Sequence, residues 1–317
     1  MQLLRRPSVL LLLLAAGLLG CDTTAVQPDS QVVVESYLQT DTTFDTVQLT
    51  RTVGATNAFD PTATAVTEDE VEVVQIQRLD GTDGGVDTTY SYVETGTAGV
   101  YAPESPPGSP PPTVETNTTY RLRVERTDGP TITATTTVPG ALDLRDVKNT
   151  TTEMTAEYQN PNQKPAFIVD PPPSPSDRQN VYFFTVTSQL PQERLEDNFT
   201  PLYGDGYDAD EDSIESFRVN DSGLLNQANF PKNGDGTVTV DLPWVGVAFF
   251  GPNEVSINVV DDNYYNFIRS ESAQDSAPPG EFPGIIEHVE NGTGIFESYV
   301  RKDTTIQFTG GDEFPAN

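Results

Sequence analysis

The sequence predicts an all-β protein: an N-terminal antiparallel β-sandwich, Ig-like or carboxypeptidase-regulatory-like, followed by a second β-rich domain with one short helix. Three observations predict it. Val, Ile, Thr and aromatic residues alternate with polar ones, the period of a half-buried strand. The alternating runs are short and are separated by Asp-Gly, Asn-Gly and Pro-rich breaks, as sandwich strands are. Only one stretch, Tyr264–Ser272, reads as a helix.

The chain opens with Arg5 and Arg6, then an unbroken apolar run from Val9 to Leu19, then Gly20 and Cys21. A charged start, an apolar run of this length and small residues at the cut are the parts of a signal peptide. The run is too short to span ~30 Å of hydrocarbon at ~1.5 Å per residue. Leu18-Leu19-Gly20-Cys21 reads as a lipobox, which makes residues 1–20 the leader and Cys21 the first mature residue, its thiol carrying diacylglycerol. The alternative is an ordinary leader that happens to contain a Cys. Acyl chains contribute ~0.8 kcal/mol per buried CH₂, so several together hold a protein stably to a membrane. Residues 21–29 are polar and read as a tether. The expected place is the cell envelope, on the outer membrane, with either face open.

The first domain is expected over residues 30–140. Val32-Val33-Val34 begins a strand, and Val47 and Leu49 alternate with Gln48 and Thr50 in a second. Val71 and Val73, then Val74 and Ile76, alternate with a phase slip that hints at a β-bulge. Tyr120, Leu122 and Val124 share one face while Arg121, Arg123 and Glu125 take the other. After Asp128-Gly129-Pro130, the run Ile132, Ala134, Thr136, Val138 supplies a hairpin partner. The Pro-rich insertion at 103–112 cannot donate to a ladder and reads as a surface loop.

Residues 141–180, rich in Pro and Ser toward their end, read as a linker or long loop, and 181–317 as the second domain. Its strands are expected at Val181–Val186, around Val238, Val240 and Leu242, at Val255, Ile257 and Val259, and at Ile306 and Phe308. Asp261-Asp262-Asn263 is a cap sequence for the helix, because such side chains accept from free amide donors there.

Charge narrows the partners. The formal net charge is −31, and removing Arg5 and Arg6 leaves −33 on about 297 mature residues (317 − 20). So acidic a surface repels nucleic acid and anionic headgroups. Only Lys148, Lys164, Lys232 and Lys302 are lysines. Many acids with few lysines suit a protein working in concentrated salt, where screening removes self-repulsion. With its one Cys committed to the anchor, the chain closes no internal disulfide, and hydrophobic cores must hold the fold.

The sequence offers few catalytic constellations. Ser-His-acid hydrolysis needs an imidazole, and the sole one is His288, which reads as a surface or partly buried His bonded to backbone. There is no G-x-S-x-G elbow, no P-loop and no His/Cys set for zinc. With 48 acidic residues some carboxylate pair always has a glycosidase separation, so spacing is uninformative. One acidic loop stands out, with Asp205, Asp208, Asp210 and Asp212 as candidate Ca²⁺ ligands. It departs from an EF-hand, with Ser213 where Gly belongs and Val219 where the closing acid belongs. A solvated acidic loop is the competing reading. Tyr264, Tyr265 and Phe267 cannot all point inward from one helix, since neighbours are ~100° apart. They read either as two core residues and one edge residue, or as a platform for a sugar or protein partner.

The order of lipobox, tether, VVVESYL (32–38), VQLTRT (47–52), TYRLRVERTDG (119–129) and ITATTTVP (132–139) resembles the Bacteroidota lipoprotein family known as domain of unknown function 4249. Near the C-terminus DDNYYNFIRS (261–270) precedes GIIEHVENGTGIFESY (284–299), and Asn291, Gly292, Gly294, Ile295 and Phe296 match that family's Asn-Gly-x-Gly-hydrophobic-Phe motif. The resemblance implies an envelope lipoprotein, often encoded beside a TonB-dependent outer-membrane transporter, and it carries over no catalytic residue. The expected role is therefore a non-enzymatic binding or accessory component, without a cofactor unless Ca²⁺ binds the acidic loop. A structural or adhesive envelope protein without a small ligand is the alternative.

Overall fold

The computed structural model describes residues 30–310 except 55–56, 82–83, 106–109, 174–177, 209–212 and 279–283. The leader, Cys21 and the tether lie outside the described residues. The alternating runs of the first half become β1 (Val32–Gln39), β2 (Val47–Arg51), β3 (Val71–Leu79), β4 (Val86–Glu94), β5 (Val100–Pro103), β6 (Thr119–Arg126) and β7 (Ile132–Thr137). The expected β6–β7 hairpin forms, with Tyr120 opposite Thr136 and Val124 opposite Ile132. Its turn is made by Gly129 at φ 112°, open to glycine without a Cβ penalty. The phase slip in β3 is a real irregularity: its pairing with β6 shifts between Val71 and Val73. Of the Pro-rich insertion at 103–112, Glu104, Ser105, Pro110 and Pro111 are exposed, Pro103 and Pro112 are half-buried, and Pro103 is not loop but the end of β5, opposite Tyr92.

In the second half lie β8 (Asp143–Lys148), β9 (Thr155–Glu157), β10 (Ala166–Asp170), β11 (Val181–Ser188), a one-turn helix α1 (Pro201–Gly204), β12 (Val219–Asp221), β13 (Leu225–Asn226), β14 (Val238–Asp241), β15 (Gly251–Val260), α2 (Asp262–Asp275), β16 (Val289–Glu290) and β17 (Thr293–Thr309). The fold is β-rich throughout, as alternation predicts.

Residues 141–180 are not a linker. They carry β8, β9 and β10, and β10 is the middle strand of a three-stranded sheet, β14-β10-β8. Phe167 and Val169 on it are fully buried. The prolines mark where this strand stops: Pro165 precedes it and Pro171 follows it, outside the ladder they could not complete. Nor is the sheet purely antiparallel. The large sheet runs β12-β11-β15-β17-β1-β2-β5-β4-β3-β6-β7-β16, with β13 beside β11 and β9 beside β17. Within it β17 pairs in parallel with both β1 and β9.

The long strand β17 ties the halves together. Thr293 to Tyr299 pair with β1, and Tyr299 to Phe308 pair with β15. Phe296 accordingly joins the first core, with Val34, Leu49, Ile76, Leu122 and Ile132. Val300, Ile306 and Phe308 join the second, with Phe167, Phe184, Val240 and Ile257. Full burial of each such side chain is worth ~1.5–3 kcal/mol. The sheet also brings β7 against β17, so the first and last parts of the chain meet at one seam.

Candidate functional site

The seam between the cores is roofed by α2, and the local sequence explains why. Asp261 has an extended backbone and its Oδ1 accepts from the Tyr264 amide at 2.9 Å, the N-cap its sequence predicts. The helix extends to Asp275, three residues beyond the expected Ser272. Its first turn is bonded to both halves. Asn263 Nδ2 donates to the carbonyls of Thr135 on β7 and Phe296 on β17, each at 2.8 Å. Asp261 Oδ2 accepts from Thr136 Oγ1, which lies 2.7 Å from Ser298 Oγ. The Asp261 amide donates to the Ser298 carbonyl at 3.0 Å. Arg178 donates to the Asp261 carbonyl at 3.1 Å, pairs with the Asp262 carboxylate, and lies 4.2 Å over the Tyr265 ring.

Under this roof is an acid the alternation pattern hides. Glu297 is fully buried, and neither carboxyl oxygen has a hydrogen-bond partner among the described residues. Burial pushes its carboxyl up to about 10, and the nearby Asp261 and Glu35 carboxylates push the same way. Asp261 is also buried and is raised to about 7, although its hydrogen bonds from Thr136 and the Tyr264 amide pull it back. Glu297 is therefore a neutral acid at neutral pH. Sequence reasoning missed it because Glu297 falls on the strand face opposite Phe296, which an isolated sheet would leave to water. The available signal was a single acid between Ile295-Phe296 and Tyr299-Val300.

Beside the roof lies an open hollow of about 560 Å³, lined by Arg121, Thr133, Thr135, Glu287, His288 and Glu290. Most of these wall groups are already engaged. Arg121 binds Gln77 Oε1 through Nε and Nη2 at 2.9 and 2.6 Å. Thr133 donates to Glu290 at 2.9 Å, and Thr293 donates to Glu287. His288 is exposed, and its Nε2 is 3.2 Å from Asn266 Nδ2 on α2, so its contact is with a side-chain amide rather than backbone. Such a hollow offers mixed charge to a ligand and places an amide, not an acid or hydroxyl, against the imidazole.

The three aromatic residues of the helix point three ways and form no single platform. Tyr264 stacks on Phe183 with centroids 5.3 Å apart, Tyr265 sits under Arg178, and Phe267 lines a narrow cleft beside His288. In the acidic loop Asp205 and Asp208 are exposed, while Asp210 and Asp212 lie outside the described residues, as does Cys21. Among the described residues no three His, Cys, Asp or Glu side chains are grouped to hold a metal.

The Asn-Gly-x-Gly segment has a clear local reason. Asn291 is left-handed at φ 62° and its side chain donates to the Thr131 carbonyl at 2.9 Å. A Cβ on Gly294, at φ 105°, would lie 2.1 Å from the Val34 carbonyl oxygen. The missing side chain is what lets β17 approach β1.

A family model described as Domain of unknown function (DUF4249) matches residues 22–305. No curated protein matches the chain. Among solved structures, a tetra-tandem repeat in the extending region of a large adhesion protein aligns at 12% identity and TM-score 0.20, over 89% of this chain and 50% of that one. The chain thus spans about half the length of that structure, and a likeness so slight carries nothing about function.

Proposed function

The chain belongs to the DUF4249 family, and on that footing we propose that it is a Bacteroidota envelope lipoprotein, anchored through Cys21, that acts as a non-enzymatic binding or accessory component. The observation carrying this reading is the placement of Cys21 directly after an apolar leader and eleven residues before Val32, where β1 begins. At ~3.3–3.6 Å per residue such a tether reaches at most ~40 Å. The body is therefore held close to the membrane, and any pull on the anchor is delivered to β1. That strand lies in the interior of the large sheet, bonded to β2 on one side and β17 on the other. This suits a protein that must hold its place beside a membrane partner, and the partner in this reading is an outer-membrane transporter of the TonB-dependent type.

Cys21→Ser in the native host tests the anchor: the variant should leave the membrane fraction, and retention there would defeat the reading. Mild crosslinking of intact cells tests the partner. Recovery of one outer-membrane transporter with the wild type, and its loss with the unanchored variant, is the expected result. Recovery of the lipoprotein alone would favour a structural envelope role.

A further inference from the structure

Asp261 and Glu297 are sealed where both cores, β7 and the first turn of α2 converge. We propose that α2 is a proton-operated clasp: it stays closed on β7 and β17 while these two acids hold their protons, and it lifts when they lose them, freeing the 284–290 segment from the β7 edge. The geometry supplies the reason. Glu297 is faced by Glu35 and Tyr37 from β1, by Tyr299 from its own strand, and by Asp261 and Tyr264 from the helix side. None of these is a cation. Asp261 is faced by Asp262 and Glu297, and Arg178 gives its hydrogen bond to the Asp261 backbone carbonyl while its charge meets the Asp262 carboxylate. A Glu297 carboxylate formed under the closed helix thus has acids and phenols for neighbours and no donor, and an uncompensated buried charge is strongly unfavourable, whereas a charged Asp261 keeps its Thr136 and Tyr264 donors and is opposed chiefly by its burial. Opening lets water solvate it.

The 284–290 segment moves with α2. The Ile286 amide donates to Ser270 Oγ at 2.8 Å, and His288 meets Asn266, both partners being helix residues. The segment they hold ends in β16, which covers Thr133 and Ala134 of β7. Lifting the helix would bare this stretch of strand edge, which accepts an added strand.

Amide hydrogen exchange on the full mature protein from pH 5.5 to 8.5, corrected for intrinsic rate, tests the proposal. Peptides covering 262–275 and 284–290 should be less protected than those of β3 and β6. Their protection should fall as pH rises, by up to about tenfold per pH unit for each acid that loses its proton on opening. Glu297→Gln should flatten that slope. Asp261→Asn, which keeps a cap oxygen and drops the charge, should flatten its lower part and serves if the first variant fails to fold. Exchange of α2 in step with β3 and β6 at every pH, or a slope that neither substitution alters, would overturn the clasp.

Discussion

Replacing Gly294 by Ala probes the joint on which the two halves depend. The new Cβ would lie 2.1 Å from Val34 O, 2.9 Å from Val34 N and 3.0 Å from Val34 C, all backbone atoms of β1. No side-chain rotation relieves such a contact, so the strands must part by roughly 1.5 Å to reach ordinary van der Waals separation. A non-glycine residue at φ 105° adds ~1–3 kcal/mol of backbone strain. Each ladder hydrogen bond weakened between Val33–Gln39 and Thr293–Tyr299 costs a further ~0.5–1.5 kcal/mol. Two or three weakened bonds bring the loss to ~3–6 kcal/mol, a large share of the ~5–15 kcal/mol that holds a typical fold. Urea unfolding followed by far-ultraviolet circular dichroism reads this as a fall in the midpoint. Gly234→Ala is the control, since a Cβ there meets nothing within 4 Å and φ is not in the left-handed region. It should stay within ~0.5 kcal/mol of wild type. If Gly294→Ala unfolds within 1 kcal/mol of that control, the close approach of β17 to β1 is not what the glycine serves.

Other outcomes follow from the same structure. Glu297 titrates from 4.5 when unfolded to about 10 when folded, so between those values the folded state holds a proton that the unfolded chain has released. Stability is full below pH 4.5 and falls by ~1.4 kcal/mol per pH unit above it through this group. Glu297→Gln should therefore unfold at higher urea than wild type at pH 7.5, by roughly 3–4 kcal/mol; equal midpoints there would show that the acid is not sealed from water. Phe167→Ala should cost ~3–5 kcal/mol, measured by the same unfolding curve, because the ring is fully buried against Phe184 with centroids 4.8 Å apart. A cost below ~1 kcal/mol would return residues 141–180 to linker status. The excess of acids over lysines should make the mature chain more stable in molar salt than in dilute buffer, and a salt-independent melting temperature would count against that.

Strands β1, β2, β3, β6 and β7 were legible because each buries one face, whereas β4 and β5 were not, since each buries a single residue, Tyr92 and Tyr101. Tyr120, Leu122 and Val124 alternate with charged neighbours, and a hairpin with one wet face must show that pattern. The slip at Val71 to Val73 and the Asp261 cap were legible for the same local reason. Strand β10 was not, since Ala166, Phe167, Ile168 and Val169 are all buried and a short apolar run between prolines has no period to read. The parallel pairing of β1 with β17 joins residues some 260 apart, as Gln39 with Tyr299, and no local signal reports such a contact. Glu297 was hidden by the same distance. Its burial depends on Tyr37 and on a helix ahead of it in the chain, and an acid on a strand face takes its meaning from what covers that face. The one ring nitrogen contact of His288 likewise depends on the helix lying beside the 284–290 segment.

Intact-mass and peptide mass spectrometry of the protein extracted from its own membrane tests the anchoring claim most directly. A mature N-terminus at Cys21 with the mass of diacylglycerol on its sulfur is expected. A free thiol at Cys21, or an N-terminus at any other residue, would contradict it.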